Sequence, residues 1–169
     1  MLPTNLKNFN LYNDGESLFG VAEEVVLPKL SRQMEEYQAA GMPGPIDIDM
    51  GNEKMVLEWT SAGLVFSAIK QYGAKKPDAL MLRFSGAYQR EDTGDTHAVE
   101  IVVRGRHKEI DMGTAKVKDP TKTKITTTLA YYKLIVDGEV LIEYDALAMI
   151  FVVNGTDLLE DQRKAIGLA

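Results

Sequence analysis

Apolar and polar residues alternate along much of this chain, most clearly between Thr121 and Asp145. Alternation with a period of two marks a half-buried β-strand. Asp137-Gly138 divides the stretch into two strands, because a type I′ turn needs positive φ at both central residues. A two-residue turn also fixes the register, which sets Ile135 opposite Val140, Lys133 opposite Ile142 and Tyr131 opposite Tyr144. That face continues through Leu129 and Ile125, interrupted by Lys133 and Thr127, and is predicted to look into the core. The other face starts polar at Lys124, Thr126 and Thr128 and turns apolar near the tip, with Leu134 opposite Leu141 and Val136 opposite Glu139. Fully burying each leucine stabilises by roughly 1.5–3 kcal/mol. The tip is therefore covered either by another part of the chain or by a second subunit, and Leu134, Leu141 and Val136 are candidate subunit contacts.

The same pattern orders the rest. Asn8 to Asn13 is a strand that reaches a second hairpin turn at Asp14-Gly15. In Pro28 to Gln38, the spacing of Leu27, Leu30, Met34 and Tyr37 favours a helix, with Pro28 suited to its first position. Ala39 to Pro45 is an irregular loop. Ile46, Ile48 and Met50 then alternate with Asp47 and Asp49, a pair that could hold a hard cation or simply form a solvated strand face. After a strand carrying Met55, Leu57 and Trp59, Ser61 is predicted to cap a helix that runs to Tyr72 and stops at Gly73. Its stripe of Leu64, Val65, Ala68, Ile69 and Tyr72 should cover a sheet.

Leu80–Arg90 and Thr96–Arg106 form a long amphipathic hairpin. Leu80, Leu82, Phe84, Val99, Ile101 and Val103 face one way; Arg83, Ser85, Gln89, Glu100, Arg104 and Arg106 face the other. Asn154-Gly155 is a third turn, and Asp157 with Glu160 resembles a capping box for a short C-terminal helix with Leu158, Leu159 and Ile166 packed inward. The order predicts one β-rich α+β domain over residues 1–169, with one central helix and a short C-terminal helix.

Composition narrows the function. A chain of 169 residues can bury a full core. Its lack of cysteine removes disulfides, thiolate metal sites and a cysteine nucleophile. A net charge of −6 argues against a protein whose main task is gripping nucleic acid. The N-terminal residues lack the regions of a signal peptide, and the longest apolar run, Ala146 to Val153, is too short to span a bilayer, so no membrane insertion is expected. Of two histidines, His107 stands near Asp111 and could assist a serine, but no H-E-x-x-H, G-x-S-x-G or phosphate-binding glycine loop accompanies it. No catalytic, metal or cofactor site is expected. Arg104 to Lys108 is a basic cluster that could meet phosphate, nearby carboxylates or a neighbouring chain. Long amphipathic strands make either a closed barrel, which could take a small apolar ligand as a monomer, or a curved sheet whose edges pair with further copies.

Six segments, in order, carry a resemblance. They are Leu11 to Gly15; Leu27 to Leu30; Gly41 to Pro45 with Asp47, Asp49 and Gly51; Arg104 to Asp111; Tyr131 to Leu134 with Val136 to Glu139; and Val153 to Asp157. Together they resemble the major tail tube protein family of contractile-tailed bacteriophages, which includes the tubes of R-type contractile bacteriocins. The resemblance implies a β-sandwich/barrel-like tail tube fold and a strand, not a helix, over Pro28 to Ala40. It implies hexameric rings stacked into the inner tube of a virion tail, assembled in the host cytoplasm. The expected partners are other copies of the chain, the tail sheath, tape measure, baseplate and tail terminator proteins. DNA would pass through the lumen without specific binding, unless the tube is that of a DNA-free bacteriocin. On that reading Arg83, Ser85, Gln89, Glu100 and Arg104 are candidates to face the lumen. Gly41, Met42 and Pro43 are candidates for stacking contacts, since small residues permit close backbone approach.

Overall fold

The computed structural model describes residues 1–168. The chain runs through β1 (Thr4–Asn13), β2 (Glu16–Ser17), β3 (Ala22–Val26), β4 (Arg32–Tyr37), β5 (Ile46–Asn52) and β6 (Met55–Ala62). After the single-turn helix α1 (Phe66–Ile69) come β7 (Leu80–Arg90), β8 (Thr96–Asp111), β9 (Lys122–Val136) and β10 (Glu139–Asp145). The chain closes with β11 (Ile150–Val153), β12 (Thr156–Asp157) and α2 (Glu160–Ala165). The β-rich class with two short helices holds, and the three turns sit where the two-residue signals put them. Asp14, Gly15, Asp137, Gly138, Asn154 and Gly155 all have φ between 48° and 86°.

Antiparallel pairing joins the strands in the order β12-β11-β10-β9-β8-β7-β1-β2. The sheet forks at β9. One edge of β9 pairs with β8 throughout, while the other pairs first with β6 (Lys122 to Leu129) and then with β10 (Tyr131 to Val136). Strand β3 extends the β6 branch. The fork wraps one core, built from Leu57 and Trp59 of β6, Leu82 and Phe84 of β7, Ile101 and Val103 of β8 and Ile125 and Tyr132 of β9.

Two β-bulges correct the register expected for the Thr121–Asp145 hairpin. In β9, Arg104 pairs with Tyr131 and Gly105 with Leu129, so Ala130 is an extra residue. A bulge residue moves the strand's parity by one. Before it Thr123, Ile125 and Thr127 face the core; after it Ala130, Tyr132 and Leu134 do. In β10 the pairing passes from Val140–Ile135 to Ile142–Leu134, so Leu141 is the extra residue. Leu134 therefore lies across from Ile142, not Leu141, and both pack against the core. Leu134 packs in part on the core yet stays half-buried, as do Leu141 and Val136 near the tip.

The central helix is one turn, not the three expected from Ser61 to Tyr72. Ser61 is fully buried as part of β6, paired with Ala22 and Thr123, and its hydroxyl donates to the Gly63 carbonyl at 3.2 Å. Strand pairing on both sides outcompetes the capping role that the residue type suggests. Only Val65 and Ala68 of the stripe are buried. At the other end, Leu158 and Ile166 are exposed, and only Leu159 of the expected inward trio is partly covered. Over Arg32 to Tyr37 the chain is a strand, as the resemblance implies and against the local spacing.

Candidate assembly surfaces

β4 and β5 form a two-stranded hairpin that pairs with no other strand. A lone two-stranded hairpin is marginally stable in water, so this arm needs anchoring. At its base Arg32 reaches Asp49 at 2.8 Å, donates to Asn52 at 2.9 Å, and lies over the Phe151 ring at 5.1 Å. An open groove of about 520 Å³ between this base and Tyr144, Phe151 and Leu159 is the hollow nearest the arm; it lies outside the core. Asp49 also accepts from the Gly51 N–H at 2.9 Å, and that bond together with Arg32 holds its carboxyl below the usual range. Asp49 is thus an ion-pair partner of Arg32, and among the described residues no cluster of three or more His, Asp or Glu could hold a metal.

Beyond the base the arm is amphipathic. Directly paired residues share a face, so Tyr37 and Ile46 lie together with Ile48 and Met50 on one side. All four are exposed, by 41–55%. Glu36, Asp47 and Asp49 occupy the other side. The tip is the Ala39–Pro45 loop, where Gly41 has φ of +87° and the Met42 N–H bonds the Ala39 carbonyl at 3.2 Å. Gly41 and Pro43 are exposed there, and Met42 is half-buried.

The second surface is the side of β7 and β8 turned away from the core. The structure brings Arg83, Ser85, Glu100 and Arg104 onto it, with Ser85 paired to Glu100. Arg83 does not find a carboxylate; its guanidinium sits 4.2 Å from the centre of the Tyr12 ring. Gln89 is drawn to the turn, donating to the Gly94 carbonyl at 3.0 Å. The parity change at Ala130 adds residues that the sequence did not offer, Tyr131 and Lys133. The Tyr131 hydroxyl donates to Glu143 at 2.7 Å, and burial together with that carboxylate pushes its pKa up to about 12. Lys133 lies 3.9 Å from the same carboxylate.

An open strand edge completes the picture. The outer edge of β1 from Thr4 to Asn10 has no partner strand among the described residues, since β2 pairs only Tyr12 and Asn13. Two of its outward N–H groups, of Phe9 and Leu11, are covered by the side-chain oxygens of Asn8 and Asn10 at 2.9 Å each. Side chains that cover an edge's donors are one way a bare edge is kept from indiscriminate pairing.

His107 has no catalytic setting. It is buried, with Nδ1 2.9 Å from the Thr127 hydroxyl and Nε2 3.1 Å from Gln71 Oε1, and Gln71 in turn donates to Asp14 at 2.6 Å. Burial pushes its pKa down to about 4, opposed by the Asp14 carboxylate. An unfolded histidine takes up its proton near pH 6.5, so below that pH the unfolded chain binds more protons and stability falls. The loss is expected to reach about 1.4 kcal/mol per pH unit between pH 6.5 and 4. Urea unfolding of wild type and His107→Gln at pH 7 and pH 5 checks this. The wild type should lose about 2 kcal/mol more than the variant, and parallel losses would show that His107 does not titrate in that range.

Comparison with known proteins decides what these surfaces belong to. Residues 3–167 match the family described as Phage tail tube protein FII. The chain belongs to that family. It is 45% identical to the tail tube protein of Escherichia phage P2 over 99% of both chains. To the major tail tube protein of Serratia phage KSP20 it is 36% identical, covering 99% of this chain and 98% of the other. Its fold is shared at 12% identity with a chain from the sheath/tube terminator of an extracellular contractile injection system, PVC, with a TM-score of 0.58 over 80% of this chain and 97% of that one. A chain of the PVC sheath-tube complex gives 0.58 at 11% identity, over 79% and 90%. This phage tail tube protein is accordingly a structural component of a virion tail and not an enzyme.

Proposed function

We propose that the chain forms hexameric rings that stack into the inner tube of a contractile phage tail, through which DNA leaves during ejection. The observation that carries this reading is the end-to-end likeness to phage tail tube proteins, joined to surfaces that a lone chain leaves uncovered. The fold shared with chains of contractile injection systems favours a contractile tail, with a sheath outside the tube and a terminator at its end. Tape measure and baseplate proteins are the remaining expected partners.

In this arrangement the free edge of β1 pairs with a neighbouring copy and continues the sheet around a lumen. The side carrying Arg83, Ser85, Gln89, Glu100 and Arg104 lines that lumen. Glu100 on this side and Glu143 beside Lys133 set acid among its cations, and Arg83 is stacked on Tyr12. A lumen that mixes acid with its cations holds phosphates more weakly than a basic one and lets DNA slide. The arm, with Gly41, Met42 and Pro43 at its tip, makes the ring-to-ring contact, while Leu141 and Val136 lie near a subunit boundary.

Electron microscopy of the purified protein tests the proposal directly. Annular particles with sixfold symmetry, and stacks of them, are expected at high concentration. A species that stays monomeric in sedimentation and shows no rings on grids would overturn it, and rings of another symmetry would overturn the hexamer.

A further inference from the structure

Helix α2 is held to the subunit by few groups. None of its residues is buried, and the Lys164–Glu160 pair at 2.9 Å lies within the helix itself. Among the described residues, Arg163 is the one side chain of α2 that bonds outside it. The guanidinium pairs with Asp157, just before the helix, and donates to the Met149 carbonyl at 2.9 Å. Met149 has φ of +54°, a left-handed conformation that bulky side chains rarely adopt. The turn leading to it is drawn in by Asp145, whose carboxylate accepts from the Leu147 and Ala148 N–H groups at 3.0 and 3.1 Å. Two residues further on, Phe151 is gripped as well, its carbonyl accepting from the Leu158 N–H at 2.8 Å. The Phe151 ring stands edge-on to Tyr144 and lies under Arg32, the residue that ties the base of the arm to Asp49 and Asn52. The groove of about 520 Å³ takes its lining from both ends of this series, Met149, Leu159 and Gln162 with Arg32, Asp49 and Asn52.

We propose that α2 is a strap latched by Arg163, and that the latch sets how firmly the arm is held at its base. With Arg163 in place, Met149 is fixed in its left-handed conformation and Phe151 stays beneath Arg32. With Arg163 withdrawn, the turn at Met149 relaxes toward ordinary backbone, Phe151 shifts, and Arg32 loses the ring on which it rests. The arm's two strands pair with no other strand, so a loosened base weakens the whole ribbon. The coupling is reciprocal: whatever grips α2 stiffens the arm, and whatever holds the arm steadies α2. This is a property of the single subunit and does not depend on the tube reading.

Amide exchange read by NMR, on subunits diluted until sedimentation shows no assembly, tests it. Arg163→Met removes the donors and keeps a long side chain. It should speed exchange by about fivefold or more in α2 and also at Gly51 and Glu53. Their N–H groups bond Asp49 and the Ser31 carbonyl at the base of the arm, at 2.9 Å each. Exchange in β7 and β8 should stay as in wild type. Lys164→Met, which breaks only the pair inside the helix, should leave the arm base unchanged. Met149→Asn added to Arg163→Met should restore slow exchange at the arm base while α2 stays fast, because asparagine holds a positive φ unaided. Arm-base exchange unaltered by Arg163→Met would overturn the proposal. So would an equal rise in β7 and β8, since Arg163 would then support the whole fold and not the arm. Failure of Met149→Asn to restore protection would also overturn it, by removing Met149 as the link.

Discussion

Gly105→Ala should lose at least about 3 kcal/mol of folding stability, lowering the urea midpoint by about 1–2 M. A Cβ at this position would lie 1.9 Å from the Thr128 carbonyl oxygen and 3.1 Å from the Leu129 Cα. Both are backbone atoms of the strand opposite, immediately before the Ala130 bulge, so no side-chain rotation can make room. The two strands would have to separate where β9 changes partner, and the Ala130 carbonyl, which accepts from the Ala146 N–H at 3.0 Å, would be disturbed with them. Gly86→Ala is the control. Its Cβ would meet only the rings of Phe84 and Tyr88, at 2.8 Å each. Rings can turn aside, and a loss of about 1 kcal/mol is expected. Equal, small losses at both positions would show that the bulge tolerates a side chain and that its geometry is not what fixes the β8–β9 register.

Deleting the arm should have the opposite profile: tube assembly abolished, the subunit intact. Replacing Gln33 to Gly51 with Asn-Gly joins two ends that the fold already holds together, since the Glu53 N–H bonds the Ser31 carbonyl at 2.9 Å. Arg32, Asn52 and the Arg32–Phe151 stacking are kept. The arm pairs only with itself, so the thermal midpoint should stay within about 4 °C of wild type. Sedimentation should show single subunits or isolated rings, and grids no stacks. Stacked tubes formed by the shortened chain would show that the arm is not the ring-to-ring contact. The two experiments separate folding from assembly, which a substitution such as Leu134→Asp cannot do, because Leu134 packs on the core.

Much of this was present in the linear pattern. Period-two alternation located the β7–β8 hairpin with its core and outer faces, and the Asp-Gly and Asn-Gly pairs located three turns, because few residues tolerate positive φ. The uneven distribution of charge also marked the basic run before β8 ends. These features depend on one residue or its near neighbours. The pattern did not show where a strand changes parity. Neither Ala130 nor Leu141 carries a local sign of being a bulge residue. Each is extra only because its partner strand has one residue fewer to offer, and Gly105 gains its role only through the Thr128 carbonyl opposite. Ser61 likewise reads as a helix cap until β3 and β9 pair on either side of it. The arm is the clearest division between the two. Its residues, taken in order, are those of any half-buried hairpin, and only the three-dimensional arrangement reveals that no core lies beneath them. Local preference determines which conformation each short segment can adopt, whereas register and cover are settled between segments far apart in the chain, by backbone groups that must all find partners.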